Sequence, residues 1–343
     1  MTQGPGQEGE QFRLPYFRTM KHLLKILLLL LCLLLAGGGG YLYVRQKFQP
    51  AANQLVVPYL PLVSPFVWKA DSAARPVVPH AALLVPVTLP GCPRRCLLQF
   101  DTGAPSSVLY AHPLAALRAR YPGLRQQMRP RADTVANVQL RLGGQPLQAH
   151  WLRLLPVGDR RLPPADSTPV VIGTLGADLL DGRVMVLDYP RQRFTLCAHV
   201  PDSLARRTRF APLVFDSRRV LLSAHVQGQE HQLLFDSGSS AFALLTSQDT
   251  WNRLRQPHAL PCETTVNSWG RQLTAHTVAT PATLGLGPAT VPLVTVTYIE
   301  GTAFWQSVLM RFSGMGGMLG NAPFVGSIVI LDVPGHRFGV ARP

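Results

Sequence analysis

Long amphipathic helical stretches are nearly missing from this chain, and no run carries the hydrophobic repeat of a coiled coil or of a solenoid array. A helical bundle is excluded on that ground. Lysine is rare as well: 4 Lys accompany 29 Arg. The arginines are scattered in "PRR", "LRAR", "GDRR" and "LARRTR", with no recognition helix or RNA-binding signature beside them, so nucleic acid is not expected as a partner. The ten His are dispersed, with no HExxH, and no His pair completes a ligand set with any of the five Cys; neither metal nor cofactor is expected. There is no Gly-x-Ser-x-Gly elbow. The stretch "GMGGMLG" (314–320) opens no helix of a βαβ unit and is not a dinucleotide loop.

Short apolar runs such as "AALLVPVTL", "VMVLDY" and "SIVILDV" recur between turn signals, with 31 Pro and 29 Gly in 343 residues. That pattern predicts an all-β chain, long enough for two cores. The formal charge of +15 fits a solvated basic surface, or attraction to anionic lipid or envelope polymer. Ile26–Val44 is a 19-residue run without a charge, enough to span a bilayer as one helix. A signal peptide cleaved near Ala36 is the competing reading. Arg13, Arg18, Lys21 and Lys25 precede the run. The positive-inside rule then predicts a cytoplasmic tail (1–25), a membrane span (26–44), and an outward, extracytoplasmic remainder at the cell membrane. In such an oxidising compartment Cys92 and Cys96, in the turn "GCPRRC", are expected as a disulfide pinning a hairpin. A Cys197–Cys262 pairing stays open.

The chain repeats itself once. "VLLSAHVQGQEHQLLFDSGSSAFALL" (220–245) replays "ALLVPVTLPGCPRRCLLQFDTGAPSSVLY" (82–110), with Asp101 and Asp236 lying 135 apart. "GTLGADLLDGRVMVLDYPRQRFTL" (173–196) matches "GMLGNAPFVGSIVILDVPGHRFGV" (317–340) at an offset of 144, and "LGGQPL" falls on "LGPATV" at the same offset. An Asp-Ser/Thr-Gly triplet alone arises by chance in roughly one chain in several, but three ordered blocks mark a duplication. Two lobes are expected at 80–200 and 209–343, with 45–79 as a stalk, linker or added strand.

These residues resemble the aspartic proteases, in the bilobal pepsin-like arrangement with motifs closer to the retropepsin-like bacterial branch. The resemblance covers all but the N-terminal segments. It implies two homologous closed barrel-like lobes with a cleft between them, in one monomeric chain. It implies catalytic Asp101 and Asp236, loops supported by Thr102, Gly103, Ser237 and Gly238, and strands Leu175-Gly176 and Leu319-Gly320 beneath them. The activity implied, together with the N-terminal span, is that of a membrane-anchored endopeptidase acting on polypeptide, in which two carboxylates share a proton and activate water. The alternative is a catalytically silent relative that binds a peptide or envelope ligand. Two departures stand out: Ala104-Pro105 replaces the usual Ser-Ser, and no first-lobe tyrosine is placed for a flap. Nine extra residues around "CETTVNSWGRQLTAHTV" suggest a larger flap from the second lobe, with Trp269 over the cleft or packed in a lobe core. Asp188 and Asp332, ahead of turns, read as structural, and the remaining acids as solvated.

Overall fold

In the computed structural model, which describes residues 49–268, 271–300 and 315–343, alternating burial sets the strands of the first half. Thr134–Leu142 and Gln145–Leu155 turn successive side chains in and out and pair around Gly143 and Gly144, both left-handed at φ +52° and +82°. A Cβ on Gly143 would collide with the Val63 carbonyl. From Gln145–Leu155 the pairing passes through Val108–Tyr110, Val170–Leu175, Cys92–Phe100, Val78–Leu89 and Thr134–Leu142, then returns to Gln145–Leu155. These six strands close a barrel.

The second half begins alike and does not close, which corrects the expectation of two closed barrels. Its strands belong to one large open sheet. The reason lies in two interruptions. Where the first half has the unbroken Thr134–Leu142, the second has Arg271–Ala279 and Thr283–Leu286, parted by Thr280-Pro281-Ala282. Where the first half has Gln145–Leu155, the second has Ala289–Pro292 and Thr295–Glu300, parted at Val294 with φ +65°. Proline offers no ladder donor and a left-handed β-branched residue leaves the strand. The strand Cys262–Ser268, longer than its first-half counterpart Pro130–Arg131, pairs with Arg271–Ala279 from Cys262↔Thr277 to Ser268↔Arg271 and ends the sheet on that side.

One run of that sheet joins the halves: Arg209–Asp216, Arg337–Ala341, Ile328–Asp332, Val184–Asp188, Arg193–Cys197 and Leu62–Pro65. At its centre the duplicated strands pair with each other, Val184↔Asp332, Val186↔Ile330 and Asp188↔Ile328. This antiparallel register places a local two-fold at the middle of the repeat. Leu62–Pro65 does for the first half what Arg209–Pro212 does for the second. Together with Leu55–Val56 and Val67–Asp71, it brings part of the 45–79 segment into the sheets. Trp68 stacks on Tyr189 there, and Phe66 meets both rings edge-on. Asp188 accepts the Arg191 amide and Asp332 the Gly335 amide, so both cap turns.

Two further expectations are corrected. Among the described residues no helix is long and apolar enough to cross a membrane, and 26–44 lies outside the described residues. This corrects the single-pass anchor, the membrane as partner, and the placement derived from them. Nor is there a disulfide among the described residues: Cys92, Cys96, Cys197 and Cys262 are free thiols. Cys92 and Cys96 lie along one strand beyond the turn, not across it, opposite Leu89 and Val87 at a bulge. Both sulfurs face the Arg94 carbonyl, at 3.8 and 3.6 Å. Burial, and then the neighbouring Cys92, push the Cys96 thiol up to about 12.

Candidate active site

Each motif aspartate sits just past a strand that runs parallel to the strand of its Leu-Gly partner. The Asp101 amide donates to the Leu175 carbonyl at 3.0 Å, and the Asp236 amide to the Leu319 carbonyl at 2.9 Å. Gly176 and Gly320 permit this approach, since a Cβ would meet the Ser106 carbonyl carbon at 2.6 Å in one case and the Ser239 carbonyl oxygen in the other. Leu175 and Leu319 are buried beneath the loops.

The structure brings the two loops together. Thr102 N donates to Ser237 Oγ and Ser237 N to Thr102 Oγ1, both at 2.9 Å. The Thr102 hydroxyl donates to the Phe235 carbonyl at 2.8 Å, and the Ser237 hydroxyl to the Phe100 carbonyl at 3.1 Å. Both side chains are wholly buried. Gly103 lies against the opposite aspartate: a Cβ there would stand 2.6 Å from Asp236 Oδ1, and one on Gly238 would strike the Asp101 carboxyl. No larger residue fits either place.

Each carboxyl group thus lies against the loop of the other half, Asp236 at Gly103 and Asp101 at Gly238. Burial first, then the charge of Asp236 and the hydrogen bond to it, push Asp101 up to about 7, against the Gly103 and Ala104 amides. Those amides donate to Asp101 Oδ1 at 2.9 and 3.2 Å. The pair is not symmetric. Asp236 Oδ1 accepts the Gly238 amide at 2.9 Å, and its Oδ2 accepts the Ser239 hydroxyl at 2.8 Å; Ala104, the repeat counterpart of Ser239, offers no hydroxyl to Asp101.

Sequence reasoning missed the second layer. Asp178, expected as a solvated acid, is buried; its carboxylate accepts the Ser107 amide and hydroxyl, both at 2.7 Å, and Ser107 Oγ in turn accepts the Gly176 amide at 2.9 Å. Burial raises its pKa. The repeat hid this residue, because its counterpart at the 144 offset is Ala322. The telling signal is an acid set among apolar neighbours in "GADLL". In the second half Asn321 holds the Ser237 carbonyl and Ser240 Oγ, at 3.1 and 2.6 Å, while accepting the Tyr189 hydroxyl at 2.7 Å. Tyr110 bonds Thr174 Oγ1 at 2.7 Å; burial raises its phenol, and the charge of Asp101 adds to that. Trp269 lies outside the described residues. A cavity of about 370 Å³ opens along Ala104–Val108, walled by Trp151 and Leu155.

Compared with known proteins, the chain matches no protein-family model and no curated protein.

Proposed function

We propose that this chain is an aspartic endopeptidase that hydrolyses peptide bonds between Asp101 and Asp236. One observation carries the reading: the carboxyl groups of Asp101 and Asp236 each lie against the glycine of the opposite loop, while Thr102 and Ser237 lock the loops reciprocally. Buried like charges at hydrogen-bond distance do not both ionise, so the pair keeps one proton. A water entering between them loses a proton to the ionised carboxylate as its oxygen attacks the scissile carbonyl carbon. The shared proton passes to the carbonyl oxygen. When the tetrahedral intermediate collapses, the C–N bond breaks, the nitrogen takes the pair's proton, and one hydroxyl of the intermediate gives its proton back to the pair as the carboxylic acid forms, which restores the singly protonated state. The apolar wall of Val108, Trp151 and Leu155 supports an extended polypeptide substrate with apolar side chains near the cut.

The test is digestion of a mixed peptide library by the full chain, wild type against Asp236→Asn, with and without pepstatin. Pepstatin-sensitive cleavage absent from the variant is expected; equal cleavage by both would overturn the reading. The second reading, a silent peptide-binding relative, is favoured by Ala104, which leaves Asp101 without the hydroxyl that Asp236 has. It predicts peptide binding without cleavage, retained in Asp101→Asn.

A further inference from the structure

Ser217 and Arg218 make the tight turn between Arg209–Asp216 and Arg219–Val226, both with left-handed backbone, φ +50° and +58°. Turns of this type are ordinarily built from Asn, Asp and Gly, because a Cβ is crowded there. Here the strained geometry has a visible consequence: Arg218 is 8 % exposed, although it stands beside the exposed Asp216. Its guanidinium reaches the first half of the chain. Nε donates to Asp181 Oδ2 at 3.0 Å, and Nη1 to the Pro105 carbonyl at 3.3 Å and Ser106 Oγ at 3.1 Å. From the other side Asn53 Nδ2 donates to the same Asp181 oxygen at 2.8 Å and to the Asp178 carbonyl at 2.7 Å. With Asp178 holding Ser107, the loop that opens at Asp101 is gripped at three consecutive residues.

We propose that Arg218 is a positioning residue, which sets the Asp101 loop against the second half and so sets the spacing of the two aspartates. A planar fork suits that task, since it bonds a carboxylate, a carbonyl and a hydroxyl in one fixed geometry. The consequence for catalysis rests on the protease reading; the structural consequence rests on the hydrogen bonds alone. Asp178 is faced by Ser107 from the loop, by Arg218 from the turn, and by Asp181 and Arg183 from its own segment. The Arg218 charge opposes the rise that burial imposes on Asp178. Without that charge Asp178 takes up a proton at higher pH and weakens its hold on the Ser107 amide.

The experiment compares wild type, Arg218→Met and Arg218→Lys in the full chain. Carboxyl carbon NMR follows the titration of Asp178 and Asp101, and kcat and KM are measured on a peptide the wild type cleaves. Arg218→Met should raise the Asp178 midpoint, move the acid limb of the rate profile upward, and lower kcat on the order of tenfold with KM nearly unchanged. Arg218→Lys keeps the charge without the fork, so it should restore the Asp178 midpoint and only part of kcat. Unmoved midpoints, an unchanged kcat, or full recovery of kcat by lysine would overturn the proposal. A wild type that cleaves nothing would sink the protease reading instead, while the two titrations would still decide the case for Arg218. If the methionine variant does not fold, the lysine variant decides alone: its kcat must fall while its Asp178 midpoint stays.

Discussion

Thr102 and Ser237 exchange amide-to-hydroxyl hydrogen bonds at 2.9 Å in each direction, and each hydroxyl continues to the carbonyl that ends the other half's strand. Replacing Thr102 with Val keeps the shape, removes one hydroxyl, and strands the Ser237 amide and the Phe235 carbonyl. Each unpaired buried group costs about 1–3 kcal/mol, so a loss of about 2–6 kcal/mol is expected in urea denaturation. A loss below about 1 kcal/mol would mean that the exchange is not holding the halves.

The pH dependence of stability follows from Asp101. Its carboxyl ionises near 3.8 when unfolded and is pushed up to about 7 in the fold, chiefly by burial and then by Asp236. Between those values the folded state binds the extra proton. Stability from this group is therefore present below the window, falls as pH rises through it, and is level above. Asp101→Asn has no such dependence. The variant should gain on wild type by on the order of a few kcal/mol between about pH 4 and about pH 8, measured by paired thermal melts. A constant gap would count against the raised pKa.

The duplication was legible because its residues are constrained at both copies: Leu175-Gly176 and Leu319-Gly320 each pass under a loop that tolerates no Cβ. The pairing of Val184–Asp188 with Ile328–Asp332 is the same repeat meeting itself. What stayed hidden was whatever only one copy has. Asp178 has Ala322 opposite it, and Arg218 acts from a turn whose residues look like a solvated charge run. The open second half was hidden too. Pro281 and Val294 read as local punctuation, and their effect on closure depends on where the neighbouring ladder runs. Cys92 and Cys96 misled for a related reason: spacing along a chain does not say that both lie on one strand.

Gly103→Ala tests the contact between the halves at the aspartates themselves. The new Cβ would stand 2.6 Å from Asp236 Oδ1, on a carboxylate already held by the Gly238 amide and the Ser239 hydroxyl. The carboxylate must move away from Asp101. Peptide cleavage should fall about a hundredfold, and the Asp101 midpoint should drop toward the ordinary carboxylate range as the charge and hydrogen bond of Asp236 withdraw. NMR titration beside a rate assay checks both. An unchanged Asp101 midpoint would show that Asp236 does not set it.

Arg94 offers a test away from the site. Its side chain is fully buried, and its guanidinium donates to the Pro163, Ala165 and Thr168 carbonyls at 2.7 to 3.0 Å and to Asp166 at 3.3 Å. It organises the connection between Gln145–Leu155 and Val170–Leu175. Arg94→Met takes the side-chain donor from the Pro163 and Thr168 carbonyls, while the Ala165 carbonyl keeps the Thr168 amide, and should cost about 2–5 kcal/mol. Limited proteolysis should then cut first within 156–169; cutting elsewhere would place the weak point outside this connection.

Thiol reactivity discriminates the free cysteines from the disulfide that the sequence suggested. Alkylation proceeds through the thiolate, and burial pushes Cys96 up to about 12 and raises Cys197. Cys92 is buried as well, while Cys262 is half-exposed, with its sulfur 2.7 Å from the Arg75 carbonyl. Under native conditions at mildly alkaline pH, iodoacetamide should label Cys262 and spare Cys92, Cys96 and Cys197. After unfolding without reductant, Cys92, Cys96 and Cys197 should all become labelled, as read by peptide mass mapping. If Cys92 and Cys96 accept label only after reduction, they are bonded to each other, and the strand geometry around the Arg94 carbonyl is wrong.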